Sequence, residues 1–349
     1  MPEQAHSRSK RMRWLTSFAV ALLVVAIGVV AWKARRIAQR EAGPRPKITI
    51  AAATWAGFGS AFVGVHEHYF SGIDVAYTVV EDLNARHAAF TSGKANVLTT
   101  SMDSWVQELS QGIQGSPFIV TDESAGGDGI VAKRAIKSEA DLKGKRIAFA
   151  RATPSHYLLY KVLERNHLSP SDIQAYPTED PTVAGQAFLG GAVDAAVTWE
   201  PFLTQVVDAG KGHVLVTSKD FPGTIVDVLV ASPSLSAQDD LVRRFAGGWL
   251  QSVAYIKQNP REAARIMAEG FHAKVDDIDG IMTGIQFVGA GRNKGFLCGP
   301  SPLASKVFQD AGAFWVAQKI IARVPHEVLS QAICGSDAAA ERTAADGVK

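Results

Sequence analysis

The sequence predicts an α/β protein built as two similar halves, and three observations predict it. From Ile48 onward, short apolar runs of strand length alternate with segments of helical spacing. Such βαβ alternation implies largely parallel, buried sheets covered by helices. The alternation then restarts at residues 145–150, after about a hundred residues. Finally, AFTSGKANVLTT (89–100) returns in outline as AFLGGAVDAAVT (187–198). Both segments share Ala-Phe, a glycine four residues after the alanine, an Asn or Asp three further on, and a terminal threonine. Any helix–glycine–strand unit shows part of this outline; the alternative is two halves of like topology. Two units are too few for a solenoid.

The chain has 349 residues, enough for two domains with their own cores. A hydrophobic share of 47% and a charged share of 20% are ordinary for a globular protein. The formal net charge of +2 is too small to suggest nucleic acid.

The elements follow in order. Trp14 to Trp32 (WLTSFAVALLVVAIGVVAW) carries no charge. As a helix it would reach about 28 Å, against a hydrocarbon core of roughly 30 Å. Arg8, Lys10, Arg11 and Arg13 precede it, and Lys33, Arg35 and Arg36 follow. The exit Ala-Trp-Lys-Ala-Arg-Arg is a poor cleavage site, so the expectation is an uncleaved signal anchor. Basic flanks on both sides leave its orientation unread. Residues 36–47 are charged, contain Gly43, Pro44 and Pro46, and read as a stalk.

ITIAAA (48–53) is a strand, TWAGFGS a turn and AFVGVHEHYF a helix; IDVAYTVV (73–80) alternates as a strand. NARHAAFTSG (84–93) is a helix stopped by glycine, and NVLTTS (96–101) the next strand. KRIAFA (145–150) opens the second half. The following helix has Thr153 as N-cap, Pro154 at its first position, and Leu158, Leu159, Val162 and Leu163 on one face. IQAYPT, a helix through VAGQAFLGG, and the strand DAAVTW (194–199) complete the repeat. IVDVLVAS (225–232) is a strand, and amphipathic helices cover 241–260, 260–271 and 305–320. The small, polar tail after Gly335 is expected to fray.

In open α/β sheets, ligands sit beyond the carboxyl ends of the strands. The loops placed there are Thr54–Ser60 with its Gly57-Phe58-Gly59 turn, Thr99–Ser104, Ala152–His156, and Thr198-Trp199-Glu200-Pro201. Asp122–Asp128 (DESAGGD) lies between the halves as a candidate crossing. Helix starts at Ser60 and Ser155 offer backbone donors for an oxyanion. Asp128, Glu200 and Asp227 offer charge for an amine, and Trp55 and Trp199 a wall that stacks on a flat or cationic guest. A small zwitterion would satisfy both sets. The plain structural alternatives are a tight turn for GFG, capping for Ser155 and Glu200, and core packing for the tryptophans. Asp227 is harder to dismiss, because an apolar strand seldom carries a lone carboxylate without a partner or purpose.

Other chemistry fails on spacing. His66-Glu67-His68 lacks the i, i+4 histidines that share a helix face, and no Walker loop, GxSxG elbow or HExxH occurs. GFGSAF lacks the third glycine of a dinucleotide fingerprint. Neither a metal nor a cofactor is expected. Cys298 and Cys334, each followed by glycine, are candidates for one disulfide in an oxidising compartment.

Several stretches, in this order, carry a resemblance: TWAGFGSAFVGVHEHYFSGIDV, AFTSGKANVLTTS, DESAGGDGIVAK, DLKGKRIAFARATPSHYLLYKVLERNHLSPSDI, AFLGGAVDAAVTWEPFL and IVDVLVAS. From Lys47 to about Gly295 the chain resembles the nitrate/sulfonate/taurine-type solute-binding proteins of ABC transporters. The resemblance implies a type II periplasmic binding fold, two βαβ lobes around a ligand cleft, here behind an N-terminal transmembrane helix. The implied division is a cytoplasmic basic segment (1–13), a signal anchor (14–32), a linker (33–46), lobe 1 (47–125 and the helical 230–335), lobe 2 (126–229) and a flexible tail (336–349). It implies ligand-facing positions at Trp55, Gly57, Phe58, Gly59, Ser60, Ser101, Met102, Asp103, Asp128, Ser155, His156, Trp199, Glu200 and Asp227. The retained membrane helix departs from the family's usual free or lipid-anchored form, and the region after Gly295 aligns with nothing in it.

The implied function is non-enzymatic: capture of a small polar solute, with an amino-sulfonate such as taurine or another small nitrogenous zwitterion favoured, and delivery to an ABC permease and ATPase. The body would be monomeric, periplasmic and held to the inner membrane by a single span. A tethered sensor is the alternative. An enzyme like the thiamine pyrimidine synthase would need a cofactor-anchoring lysine and a metal cluster, neither of which the sequence shows clearly.

Overall fold

A computed structural model describes residues 32–33 and 44–334. The expected membrane segment (14–32, apart from Trp32) and tail (336–349) lie outside these residues. Among the described residues, no helix is long and apolar enough to cross a membrane.

From Lys47 the chain builds two sheets. The larger has six strands in the order β11-β4-β10-β3-β1-β2. These are β1 (Lys47–Ala52), β2 (Asp74–Val79), β3 (Val97–Ser101), β4 (Ser116–Ser124), β10 (Val226–Ala231) and β11 (Ile285–Phe287). The smaller has five strands in the order β7-β6-β8-β5-β9. They are β5 (Asp128–Ala132), β6 (Arg146–Ala150), β7 (Gln174–Thr178), β8 (Ala195–Trp199) and β9 (His213–Thr217). Read from the edge, β2-β1-β3-β10-β4 and β7-β6-β8-β5-β9 have the same plan. Three parallel strands are followed by an antiparallel one, which pairs in turn with an antiparallel neighbour. The sheets are therefore mixed, not largely parallel as expected. The two echoing sequence segments end in β3 and β8, which hold the same place in their sheets.

The apolar strands read as continuous runs because both faces are covered. β3, β5 and β10 are buried at every position, and β8 at all but its last. The chain passes from one sheet to the other between Ser124 and Asp128, and returns in β10. The lobe boundary expected at 229 falls inside β10. This strand pairs with β3 and β4 from Val226 to Ala231, so its apolar run belongs whole to the larger sheet.

Local signals behave mostly as read. The helix Pro154–Arg165 starts with Pro154 after the N-cap Thr153, and buries Leu158, Leu159, Val162 and Leu163. Thr153 does not cap with its side chain. Its hydroxyl donates to the carbonyl of Ala150 instead (2.9 Å), tying the helix start to the end of β6. Around the larger sheet the core holds Trp105, Phe118, Phe245 and Trp249, all at most 1% exposed. Burying each such side chain stabilises the fold by very roughly 1.5–3 kcal/mol.

Cys298 and Cys334 form a disulfide with Cα atoms 5.5 Å apart. It closes a segment carrying the helix Leu303–Ala317, whose Trp315 donates from Nε1 to the carbonyl of Asp103 (3.0 Å). Trp315 also rests against His156 and Tyr157 of the helix Pro154–Arg165.

Candidate functional site

A cavity of about 650 Å³, including its open mouth, lies between the two sheets. The parallel strands of both halves deliver their carboxyl ends to it: Ala53 after β1, Thr99–Ser101 from β3, Ala152–Pro154 after β6, Glu179 and Asp180 after β7, and Trp199 from β8. The antiparallel strands deliver Asp227, the second residue of β10, and Asp128, the first of β5.

The two aspartates occupy equivalent backbone positions. Asp227 sits opposite Ser101, the last residue of β3, and Asp128 sits opposite Trp199, the last residue of β8. Their surroundings differ. Across β10, Asp227 faces Asp122 of β4. Asp122 accepts from Trp55 Nε1 (3.1 Å) at Oδ1 and from Thr121 Oγ1 (2.8 Å) at Oδ2. Asp128 instead accepts from Ser124 Oγ (2.6 Å), which lies 2.8 Å from Ser218 Oγ.

All of these carboxyls are buried, and burial is the leading reason each holds its proton more tightly than an ordinary carboxyl. Asp128 is pushed up to about 7, with the Ser124 bond pulling back and the charge of Asp122 adding to the rise. Asp103, fully buried beneath Ser101 and Ser104, also reaches about 7. Its Oδ1 has no hydrogen-bond partner. Asp122 rises to about 6, held back by its bonds to Thr121, Trp55 and Asp227. Asp227 is raised well above the ordinary carboxyl: burial, the charges of Asp122 and Asp128, and the hydrogen bond with Asp122 all favour its protonated form.

Trp55 and Trp199 stand 5.9 Å apart between ring centroids, tilted by 39°, one from each half. Gly57 makes room for this arrangement. A Cβ there would lie 1.7 Å from Asp122 Oδ2, so the turn is glycine because an acid fills the space. At Gly59 a Cβ would lie 2.8 Å from Met267 Sδ, a matter of helix packing.

Hydrogen-bond donors border the cavity too, Ser101 directly across the ladder from Asp227. Ser101, Ser104, Thr153 and Pro154 border it at the starts of the helices Met102–Ser110 and Pro154–Arg165, where backbone N–H groups are left over. Arg86 lines it as well. Its NH1 donates to the carbonyls of Val80 (2.9 Å) and Glu81 (3.1 Å), while its buried Nε has no partner. Glu81 is occupied by the backbone and hydroxyl of Thr54.

Of the residues expected from sequence, Trp55, Phe58, Ser101, Asp128, Trp199 and Asp227 line the cavity together. The others do not line it. Met102 is fully buried core, and Ser60 and Ser155 are fully buried with hydroxyls that find no partner. His156 faces away, against Phe149, Tyr160 and Trp315. Burial and then the charge of Arg151 lower it to about 4, so it packs as a neutral ring. Glu200 serves the following helix, accepting from the Thr204 backbone (3.1 Å) and hydroxyl (3.0 Å). Among the described residues, no His, Cys, Asp and Glu group is arranged to hold a metal.

Thr99 and Thr100 line the cavity from a loop the sequence had placed there, Asp122 was read only as part of the crossing segment, and sequence reasoning missed Arg86 and Asp180. Asp122 had a readable signal: it is a carboxylate inside the apolar run SPFIVTDES, the same criterion that singled out Asp227. Arg86 gave none, since a lone arginine on a polar helix is usually solvated.

The comparisons agree with this architecture. The chain belongs to the NMT1/THI5 like family, whose model matches residues 56–263. It is 30% identical over 135 residues to a protein of Escherichia coli (strain K12) named for aliphatic-sulfonate binding, covering 38% of this chain and 42% of that one. It is 24% identical over 123 residues to the taurine-binding periplasmic protein of the same organism, covering 35% and 38%. The matches thus span less than half the length of these two relatives. In three dimensions, the alkanesulfonate-binding protein SsuA from Xanthomonas axonopodis pv. citri bound to MOPS gives a TM-score of 0.66 at 17% identity, covering 83% of this chain and 99% of that one. The two mixed sheets are the α/β periplasmic binding protein fold. The desulfurization enzyme DszB shares the fold (TM-score 0.56, 13% identity, 86% and 99% covered), so the fold alone does not separate binder from enzyme.

Proposed function

We propose that the chain is the solute-binding component of an ABC import system, closing two lobes on a small nitrogenous zwitterion and presenting it to a permease. The lobes are the halves around the two sheets, and the ligand-facing residues are Trp55, Phe58, Ser101, Asp128, Trp199 and Asp227, with Arg86 added. The observation that carries this reading is the placement of Asp227 and Asp128, one from each half, on one cavity, each opposite the last residue of a parallel strand. A guest touching both stabilises the form in which the halves are together. The solute's cationic nitrogen lies at the carboxyls, beside the contacting rings of Trp55 and Trp199. Its anionic group lies toward Arg86 and the start of the helix Pro154–Arg165, where backbone donors favour negative charge. The relatives named for sulfonate and taurine binding support this kind of solute, and taurine has both groups.

The basic-flanked apolar run at 14–32 supports a membrane tether, with the body on the periplasmic side where such a component meets its permease. Calorimetric titration of the full-length protein with taurine, alkanesulfonates, nitrate and amine-bearing metabolites tests the reading. Heat of binding is expected with solutes carrying both an amine and an acid group. No heat with any of them would refute it.

A further inference from the structure

The acidic end of the cavity contains more carboxyls than a single cationic nitrogen needs, and two of them are joined. The ladder places Asp227 directly opposite Asp122. Both are buried, at 6% and 0% exposure, and they share a hydrogen bond. Two carboxyls so placed do not both ionise, and their proton belongs to the pair. The donors decide where it rests. Each oxygen of Asp122 already accepts a bond, from Trp55 and from Thr121, which favours the anion there. The proton therefore rests on Asp227, the member that lines the cavity.

Among the described residues, the leading charges acting on this pair come from other acids. The charged or titratable groups acting on the pair are Glu123 beside Asp122 on β4, Asp128 on β5 and Asp103 on the helix Met102–Ser110, all acids. Glu123 is matched by Arg292, and Arg86 is held by the carbonyls of Val80 and Glu81.

Resting on the solute reading above, we propose that Asp122 and Asp227 act as one acid, holding a single proton in the empty cavity and releasing it when the solute's cationic nitrogen enters. The exchange balances: an ammonium group and a carboxyl–carboxylate pair become an ammonium group between two carboxylates, and one proton leaves to solvent. The protein captures a cation without a net change in the charge of the site. Asp122 is thereby a specificity-determining residue although it does not line the cavity. It holds the proton in place and orients Trp55, and a solute without a cationic nitrogen gains nothing from displacing that proton.

The test uses the full-length protein and three matched probes: taurine, ethanesulfonate (no amine) and ethylammonium (no sulfonate). Titration calorimetry in buffers of different ionisation enthalpy counts the protons released. Taurine is expected to release a proton, and ethanesulfonate to release none. The taurine affinity should rise with pH, approaching tenfold per pH unit where the pair still holds its proton. In Asp122→Asn the amide donates to Asp227, leaving nothing to displace, so the count falls by about one proton. An unchanged count in that variant, or an affinity independent of pH in the wild type, would overturn the proposal.

A second arm needs no ligand. Carbon-13 carboxyl shifts, assigned with Asp122→Asn and Asp227→Asn, should show one member protonated at neutral pH and its partner titrating lower. Two independent titrations in the ordinary range would overturn the pair. Should none of the three probes bind while the shared proton is observed, the zwitterion reading and release on capture both fall, and only the pair remains.

Discussion

Asp227 and Asp128 hold the same position in two sheets of the same plan, yet they meet different neighbours. Each lies in an antiparallel strand opposite the last residue of a parallel one. Beyond that, β4 gives Asp227 another carboxyl, while Asp128 is met by the hydroxyl of Ser124, itself 2.8 Å from that of Ser218. One backbone site thus carries two kinds of acid. Asp128, held by a hydroxyl, is pushed up to about 7, chiefly by burial; Asp227 is raised by burial and by the charge of a second buried carboxyl, Asp122. The comparison teaches that the repeated topology places the functional groups, and the non-repeated neighbours set their protonation.

The most forceful way to break this comparison is to neutralise each acid in turn. Asp227→Asn and Asp128→Asn should each weaken an amine-bearing solute by about 1.5–3 kcal/mol, the scale of a hydrogen bond to a charged group. Binding isotherms measure this, and unchanged affinity in both variants would make the carboxyls structural. Somewhat smaller is the effect of crowding only one of them. The Cβ of Gly57→Ala would lie 1.7 Å from Asp122 Oδ2 and evict that side chain, costing about 1–3 kcal/mol of stability, as overpacking does. Denaturant unfolding measures the loss, and an altered Trp55 emission should accompany it.

Stability should also depend on pH, in a direction fixed by the raised acids. A carboxyl whose folded-state pKa exceeds its unfolded value stabilises the fold while it is protonated, and that contribution is lost as pH rises through the folded pKa. With Asp122 at about 6 and Asp103 and Asp128 at about 7, the ligand-free protein should lose stability as pH climbs through that window. The slope is at most about 1.4 kcal/mol per pH unit for each titrating group. Thermal unfolding across pH should show it, and Asp128→Asn should flatten it. A ligand-free stability that rises over the same window would contradict the assigned environments. The mildest change is Trp199→Leu, which removes one ring of the pair and should weaken solute binding by about 0.5–1 kcal/mol.

Much of this was legible in the sequence. The restart of the βαβ pattern and the paired segments 89–100 and 187–198 identified both halves, because burial on two faces forces strands into readable apolar runs. That Trp55, Trp199, Asp128 and Asp227 gather on one cavity was legible because bulky aromatics and acids near strand ends are conspicuous in the sequence. The antiparallel direction of β5 and β10 was not legible, since the side-chain pattern of a buried strand carries no direction. The Asp122–Asp227 pairing was hidden for a related reason: it joins residues far apart in the chain through ladder register alone. His156 and Ser155 misled, because a helix start looks the same whether its first turn faces a cavity or, as here, packs against the helix Leu303–Ala317 and the end of β6.

The most direct test is a crystal structure of the protein grown with taurine or another solute that calorimetry selects. The solute's nitrogen should lie within hydrogen-bond distance of Asp227 or Asp128 and beside Trp55 and Trp199, with its acid group toward Thr153 and Arg86. A solute bound with its acid group at the aspartates, or held outside the space between the two sheets, would contradict the account.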